Sequence, residues 1–401
     1  MEKKTQNILI LTYWDYQDAL IQTYTLPYVR IISRQISAES KLFLVTLDKK
    51  ATQNDSINPE NNIENISILY EPFGWQGLFM WIKTMFQLIR LIRKKNISVI
   101  HAWCTPAGGM GYILAFITGK KLIIDSFEPH AFSMVEGNTW KKNSIAFKLL
   151  FWLEKKQLQK SSEVICAVEG MIEHSKKVYG ITKKKYFVKP ACVDLKMFSA
   201  DNLKNKILLD ELNLNNKITC VYAGKFGGLY LEQKTFDFFK TAFDFWGERF
   251  RILLLSNHSD EEITSYMNKA NLPATVFVKK FVSHHEIPTY IGLADFAICP
   301  MKPLPSRRFC TPIKNGEYWA LGLPVVITKN ISDDSDIIKE NEIGSVLEEL
   351  NPEAYLKSIK EINTLLKSNS RLELYNKIRP IAEKYRNFEI AEKVYKQIYG
   401  I

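Results

Sequence analysis

The sequence predicts an α/β protein built as two doubly wound domains facing a cleft. Short apolar runs bounded by turns alternate with helical patterns along the chain, which is the order that builds parallel sheets covered by helices. At 401 residues the chain is long enough to bury two full cores. Its 46% hydrophobic and 24% charged content is that of an ordinary soluble protein.

The first half opens with a buried-strand run, Asn7 to Thr12. The next loop, Tyr13-Trp-Asp-Tyr-Gln-Asp-Ala-Leu20, lacks the glycines of a dinucleotide fingerprint and leads into a helix through Tyr28. Loops at the carboxyl ends of strands line the ligand crevice of a doubly wound sheet. The aromatics and carboxylates here therefore either bind a ligand, with Asp15 foremost, or fold onto the core. Strands follow at Leu42–Leu47 and Ile66–Tyr70, separated by a polar, Asn-rich loop from Asp48 to Asn65. The pattern from Trp75 to Asn96 is a helix, apolar nearly all round, with Arg90, Arg93, Lys94 and Lys95 at its end, where cations complement the helix dipole. It is either a crossover helix on the sheet or a basic aromatic helix lying in a membrane interface.

Val99–Ala102 is a strand, and Thr105-Pro-Ala-Gly-Gly-Met-Gly111 opens a helix. No Lys-Ser/Thr follows these glycines, so a Walker loop is excluded and close helix–sheet packing explains them. The strand Leu122–Asp125 exits through Ser126-Phe-Glu128-Pro-His130, which sets a carboxylate and an imidazole two residues apart. A helix spans Ser144 to Lys160 and a strand Glu163 to Ala167. A linker is expected near residues 199–213, dividing an N-terminal domain, 1–200, from a C-terminal domain, 201–401. The last helices are able to pack back on the first domain.

The second half starts with the strand Ile218–Ala223 and the turn Gly224-Lys225-Phe226-Gly227-Gly228, whose glycines let a backbone approach an anion closely. Strand Arg251–Leu255, helix Asp260–Ala270 and strand Thr275–Lys279 follow, then Phe281-Val282-Ser-His284-His285 and Ala294–Pro300. The most informative stretch is Pro305 to Thr328. A basic loop, Ser306-Arg307-Arg308, precedes Thr311 as a hydroxyl N-cap, Pro312 at the first helical position, and a helix from Ile313 to Leu321 ended by Gly322. Lys314 and Glu317, three apart, share a helix face near an N-terminus suited to anions. A solvated Lys and Glu on an ordinary α/β helix is the plainer alternative.

Pro312-x-Lys314-x-x-Glu317-Tyr318-x-Ala320-x-Gly322-x-Pro324-Val325-Val326 resembles the donor-site signature of retaining glycosyltransferases of the GT-B type, near family 4. Tyr186–Phe198, with Pro190 and Val193-Asp194, is similar to that family's ending of the first domain. The resemblance covers nearly the whole chain and implies two Rossmann-like domains and transfer of a sugar from a nucleotide-diphosphate donor to a hydroxyl acceptor with retention. It also implies residue roles: Glu317 on the ribose hydroxyls; Gly224, Lys225, Lys234, Arg307 and Lys314 around the diphosphate; Phe281 and Val282 beside the nucleobase; and His130 against the donor sugar, catalytic together with Lys225. Asp15 and Glu128 fall on the acceptor side, with Glu136 a further candidate. The family's second glutamate, eight residues before Glu317, is replaced here by Phe309, and the loop before Lys234 is longer than usual.

Lys and Arg number 54 against 43 Asp and Glu, a formal charge of +11. That excess suits phosphorylated substrates or an anionic membrane surface, and dispersed lysines for solubility would also account for it. No basic helix or aromatic RNA motif is evident, so nucleic acid is not an expected partner. The six cysteines show no CxxC or zinc spacing, and four read as reduced core residues. No metal site and no cofactor beyond the nucleotide sugar are expected. Without a signal-peptide pattern or a long apolar span, a cytoplasmic protein, at most peripheral to a membrane, is expected. The expected partners are a nucleotide sugar and a glycan or lipid-linked acceptor, in surface polysaccharide or glycan assembly. A nucleotide-sugar epimerase on the same scaffold, or a catalytically silent binding protein favoured by Phe309, are the alternatives.

Overall fold

The computed structural model describes residues 5–49, 62–71 and 75–400, with the side chains of Gln76 and Leu78 left aside; most of the polar loop between Asp48 and Asn65 lies outside the described residues. The chain divides into two compact units, residues 1–190 with 389–401, and residues 191–388. The division falls after Pro190, and the expected linker region instead holds a short helix, Lys206–Glu211.

The first unit begins with β1 (Asn7–Leu11), a π-helical stretch (Leu20–Thr25) and α1 (Leu26–Gln35). Then come β2 (Leu42–Asp48), β3 (Ile63–Leu69), α2 (Trp75–Lys94), β4 (Ile97–Trp103) and α3 (Cys104–Thr118). β5 (Lys121–Phe127), α4 (His130–Glu136), α5 (Ile145–Lys160), β6 (Glu163–Cys166), α6 (Gly170–His174) and β7 (Lys185–Val188) complete it before the boundary. The strands form one parallel sheet in the order β3-β2-β1-β4-β5-β6-β7. The winding reverses between β1 and β4. Ser144 caps α5 by accepting from the Phe147 N–H.

The second unit runs α7 (Lys206–Glu211), β8 (Ile218–Ala223), α8 (Gln233–Trp246), β9 (Phe250–Leu255), α9 (Asp260–Lys269), β10 (Phe277–Lys280) and α10 (Ile287–Ile291). It continues with β11 (Phe296–Cys299), α11 (Ile313–Ala320), β12 (Val325–Thr328), α12 (Asp334–Asn341), β13 (Gly344–Leu347), α13 (Pro352–Ser368) and α14 (Arg371–Arg386). Its parallel sheet has the order β10-β9-β8-β11-β12-β13, reversing between β8 and β11. Alternate residues of each strand feed two cores: Val221, Leu253, Ala297 and Val325 one, Cys220, Ile252, Phe296 and Val326 the other. Burial on both faces is why these strands read as continuous apolar runs. The last helix, α15 (Phe388–Tyr399), joins the first unit from residue 389.

One sequence expectation shifts locally. Pro312, not Thr311, occupies the N-cap of α11, with no side-chain cap; its extended ψ is what a proline before a helix tolerates. All six cysteines are free, five of them buried. No helix among the described residues is long and apolar enough to cross a membrane.

Candidate donor site and the buried clusters behind it

In an open parallel sheet, ligands bind outside the carboxyl ends of the strands where the winding reverses. In the second unit that place lies between β8 and β11. The turn leaving β8 starts at Gly224 (φ +142°), and the segment leaving β11 leads to α11. Lys314, in the first turn of α11, lies directly on Gly224. A Cβ built on that glycine would sit 2.6 Å from Lys314 Cε and 2.8 Å from Nζ. Only glycine satisfies both the positive φ and this approach. The ammonium stands 3.9 Å from the ring centroid of Tyr230 and 5.5 Å from that of Tyr222, so aromatic faces hold the cation without neutralising it.

The turn itself is pinned. The Gly224 N–H donates to Leu255 O at 2.9 Å, the Tyr222 hydroxyl to Lys225 O at 2.6 Å, and the Phe226 N–H to His258 Nε2 at 2.8 Å. Phe226 stacks on Tyr222 with centroids 4.8 Å apart. The longer loop after it is tied down by an antiparallel bridge between Tyr230 and Met301. Lys225 is exposed in the turn. Lys234, the second residue of α8, is also exposed and lies 3.7 Å from Asp237.

Glu317 sits one turn along α11 from Lys314. It keeps a partly solvent-facing side but is otherwise closely surrounded by protein. Burial pushes its carboxyl up to about 7, with Lys314 pulling the other way. A group that takes a proton near neutrality can switch between accepting two hydroxyl hydrogens and accepting fewer. On the ribose role that the resemblance implies for Glu317, nucleotide binding should therefore strengthen as pH rises from 6 to 8, by up to about tenfold if only the ionised form binds. Calorimetry of nucleoside diphosphate binding across that range checks this, with Glu317→Gln as control. The variant's profile should keep only the titration of the nucleotide itself; identical profiles for both proteins would defeat the role.

The basic loop is not laid out as expected. Residues Pro305–Phe309 form a 3-10 turn in which Arg307 is only 2% exposed, its Nη1 3.6 Å from Cys310 Sγ, while Arg308 reaches out to Asp336 at 2.8 Å. Phe309 ends the turn half-buried. Phe281 follows β10 and is 78% exposed, with Val282 half-buried beside it. His284 and His285 lie on the surface of the same loop.

Sequence reasoning missed the support beneath α11. Asp334, fully buried, accepts from Asn315 Nδ2 at 2.6 Å and pairs with the guanidinium of Arg386, which lies over the Trp319 ring at 5.2 Å. The Tyr318 hydroxyl accepts from the Ala223 N–H at 3.0 Å. The helix that carries Lys314 and Glu317 is thus fixed to α12, α14 and the end of β8. No local pattern marks Asn315, Asp334 and Arg386 as one group.

In the first unit, His130 opens α4 and its Nδ1 lies 3.1 Å from Glu128 Oε1, both half-buried. The pairing assigns the neutral ring's proton to Nδ1. Behind them Glu154 is fully buried and accepts from the Ala131 N–H and the Tyr179 hydroxyl, each at 2.7 Å; burial pushes its carboxyl up to about 7 against those bonds. Glu136 closes α4. Asp15 serves its own loop: its carboxylate oxygens accept from the backbone N–H groups of Gln17 at 2.9 Å and Lys49 at 3.0 Å, and these bonds, Lys49 first, lower its pKa.

Residues 30–197 match the family model Glycosyltransferase Family 4, and residues 208–384 match Glycosyl transferases group 1. With the two matches spanning most of the chain and two Rossmann-like units beneath them, the chain belongs to the GT-B glycosyltransferases. Among solved structures, sucrose-phosphate synthase from Thermosynechococcus elongatus is similar at a TM-score of 0.75 and 16% identity, over 98% of each chain. A glycosyltransferase from Rickettsia africae gives 0.70 and 16%, over 98% of this chain and 99% of its own. HepE of Anabaena in complex with UDP gives 0.69 and 12%, over 99% of this chain and all of its own. At these identities the likeness is one of fold. No curated protein matches the chain in sequence.

Proposed function

We propose that the enzyme transfers a hexosyl group from a nucleotide-diphosphate sugar to a hydroxyl of a glycan or lipid-linked acceptor with retention, in surface polysaccharide or glycan assembly on the cytoplasmic side of a membrane. The observation that carries the reading is Lys314 seated on Gly224 where the winding of the sheet reverses, with Glu317 one turn away. HepE, of the same fold, binds UDP, which supports a nucleoside diphosphate here. In the reaction the bond from C1 to the diphosphate oxygen breaks, and its electron pair stays on the phosphate. The acceptor oxygen bonds to C1 and passes its proton to the departing diphosphate oxygen on the same face. Lys314, Lys225 and Lys234 stabilise the growing charge, an electrostatic task that needs no bound metal. Arg307 belongs to the same cation group. Glu317 holds the ribose, Phe281 and Val282 flank the base, and His130, steadied by Glu128, meets the transferred sugar. Contact of α2 with a membrane belongs to this reading.

The test is donor turnover with and without candidate acceptors, beside calorimetry of UDP and GDP. Binding of one nucleotide and release of it only when acceptor is present is expected. Sugar interconversion without acceptor would mean an epimerase, and absence of nucleotide binding a catalytically silent protein; either overturns the proposal.

A further inference from the structure

α2 carries two distinct apolar stripes. One stripe, Met85, Leu88 and Ile92, is buried. The other, Trp75, Phe79, Ile82 and Phe86, follows the 4-3-4 spacing of a single helix face and is exposed, Trp75 by 88% and Phe86 by 70%. Continued at the same spacing, that stripe meets Arg90 and Arg93, both exposed. A crossover helix needs only the buried stripe.

The same pattern recurs on α5. Ile145 (84% exposed), Leu149 and Trp152 form an outward stripe at the same spacing, continued by Lys156, whose ammonium lies over the Trp152 ring at 5.8 Å. α3 packs between α2 and α5 and ends in exposed Phe116 and Ile117. Tyr112 of α3 touches both Phe116 and Trp152, with ring centroids 6.3 and 6.1 Å apart. Three neighbouring helices thus present exposed aromatic and aliphatic side chains on one unit, an extent that single scattered exposed residues do not reach.

Charge says what covers this face. α2, α3 and α5 carry one acidic residue among them, Glu154, and it is buried. Their exposed cations include Lys83, Arg90 and Lys94 on α2, and Lys148, Lys155 and Lys160 on α5. Lys141 and Lys142 precede α5 and are exposed as well. Pairing this face with a second copy would set cations against cations. A bilayer rich in anionic lipid accepts both parts, aromatic rings at the headgroup–acyl boundary and ammonium groups among the phosphates.

We infer that the α2–α3–α5 face docks the first unit on an anionic membrane surface, through three helices rather than α2 alone. The inference deepens the membrane contact of the proposed function and stands apart from the donor chemistry. Full-length protein is sedimented with vesicles of phosphatidylcholine alone and with one-third phosphatidylglycerol, at low and high salt. At least tenfold stronger partitioning to the anionic vesicles, weakened by salt, is expected. Phe79→Ser with Phe86→Ser on α2, and separately Ile145→Ser with Trp152→Ser on α5, should each weaken binding severalfold, and together abolish it. Nucleoside diphosphate binding should stay unchanged in every variant, because none touches the second unit. No binding to anionic vesicles overturns the inference, as does binding indifferent to the α5 pair. A dimer in light scattering that the substitutions dissociate, with no vesicle binding, would assign the face to a second copy. Loss of nucleotide binding in the parent protein would fault the donor reading and leave the vesicle result to decide the surface by itself.

Discussion

Replacing Lys314 with alanine is expected to lower kcat by about 10²–10³-fold, the usual effect of removing one preorganised group that stabilises transition-state charge. KM for the donor should change less, since the charge on the leaving diphosphate grows as the glycosidic bond breaks. The geometry makes this lysine the sensitive one. Its stem fills the space over Gly224, and its ammonium is held against Tyr230 at 3.9 Å, with no ion pair within salt-bridge distance among the described residues. Lys225 and Lys234 are exposed, and solvent screens them. Lys314→Arg should not restore the rate, because a planar guanidinium is bulkier than the ammonium and does not fit the same gap between glycine and ring. Steady-state kinetics on the purified enzyme decide it. An alanine variant retaining wild-type kcat would remove Lys314 from the chemistry.

The second large effect concerns stability. Asp125, on β5, is fully buried and surrounded by partners from distant parts of the chain. Its Oδ1 lies 3.2 Å from Lys189 Nζ, Oδ2 accepts from the Tyr395 hydroxyl at 2.7 Å and lies 3.2 Å from His101 Nε2, and His101 Nδ1 in turn lies 2.6 Å from the Tyr399 hydroxyl. The Lys189 ammonium is seated 3.7 Å from the Tyr28 ring centroid. Burial alone would raise the carboxyl pKa; Lys189, His101 and Tyr395 outweigh it and hold it at about 2. Asp125→Asn leaves the lysine buried without its counter-charge, and about 3–5 kcal/mol of stability should be lost. A folded pKa below the unfolded one stabilises above the unfolded value, near 3.9, and that contribution fades as pH falls from about 4 to about 2. Denaturant unfolding at pH 7 and pH 3 measures both effects, the difference between parent and variant shrinking in acid. Replacing Asp125 and Lys189 together with apolar residues should cost less than either single change. A single variant as stable as the parent would show that the cluster contributes nothing to the first unit.

The strands were the most legible part of the chain. Runs such as Ile218–Ala223 and Val325–Thr328 are buried on both faces, so nearly every residue in them reports the same environment. Lys314 and Glu317 could be read together because three residues of helix place them on one face, a relation that needs no tertiary knowledge. Gly224 was legible as a turn glycine, but its reason, the lysine lying on it, was not. Arg307 was legible as one of the cations offered to the diphosphate, but its burial in a 3-10 turn was not, because that turn has no sequence signature of its own. α2 was legible as two competing readings, sheet packing or membrane contact, and its separate buried and exposed apolar stripes leave room for both.

Local order in the chain therefore determined the class of fold, the order of its elements and the pairing of cation and carboxylate on α11, since periodicity and short spacing act over a few residues. Only the tertiary structure decided which distant groups meet. Asp125 and Tyr395 are 270 positions apart, and Asn315 and Arg386 are joined through Asp334. Nothing local tells a buried carboxylate which ammonium will neutralise it. The low dielectric of a core makes an unpaired charge too costly to tolerate, and closure of the whole chain supplies the partner.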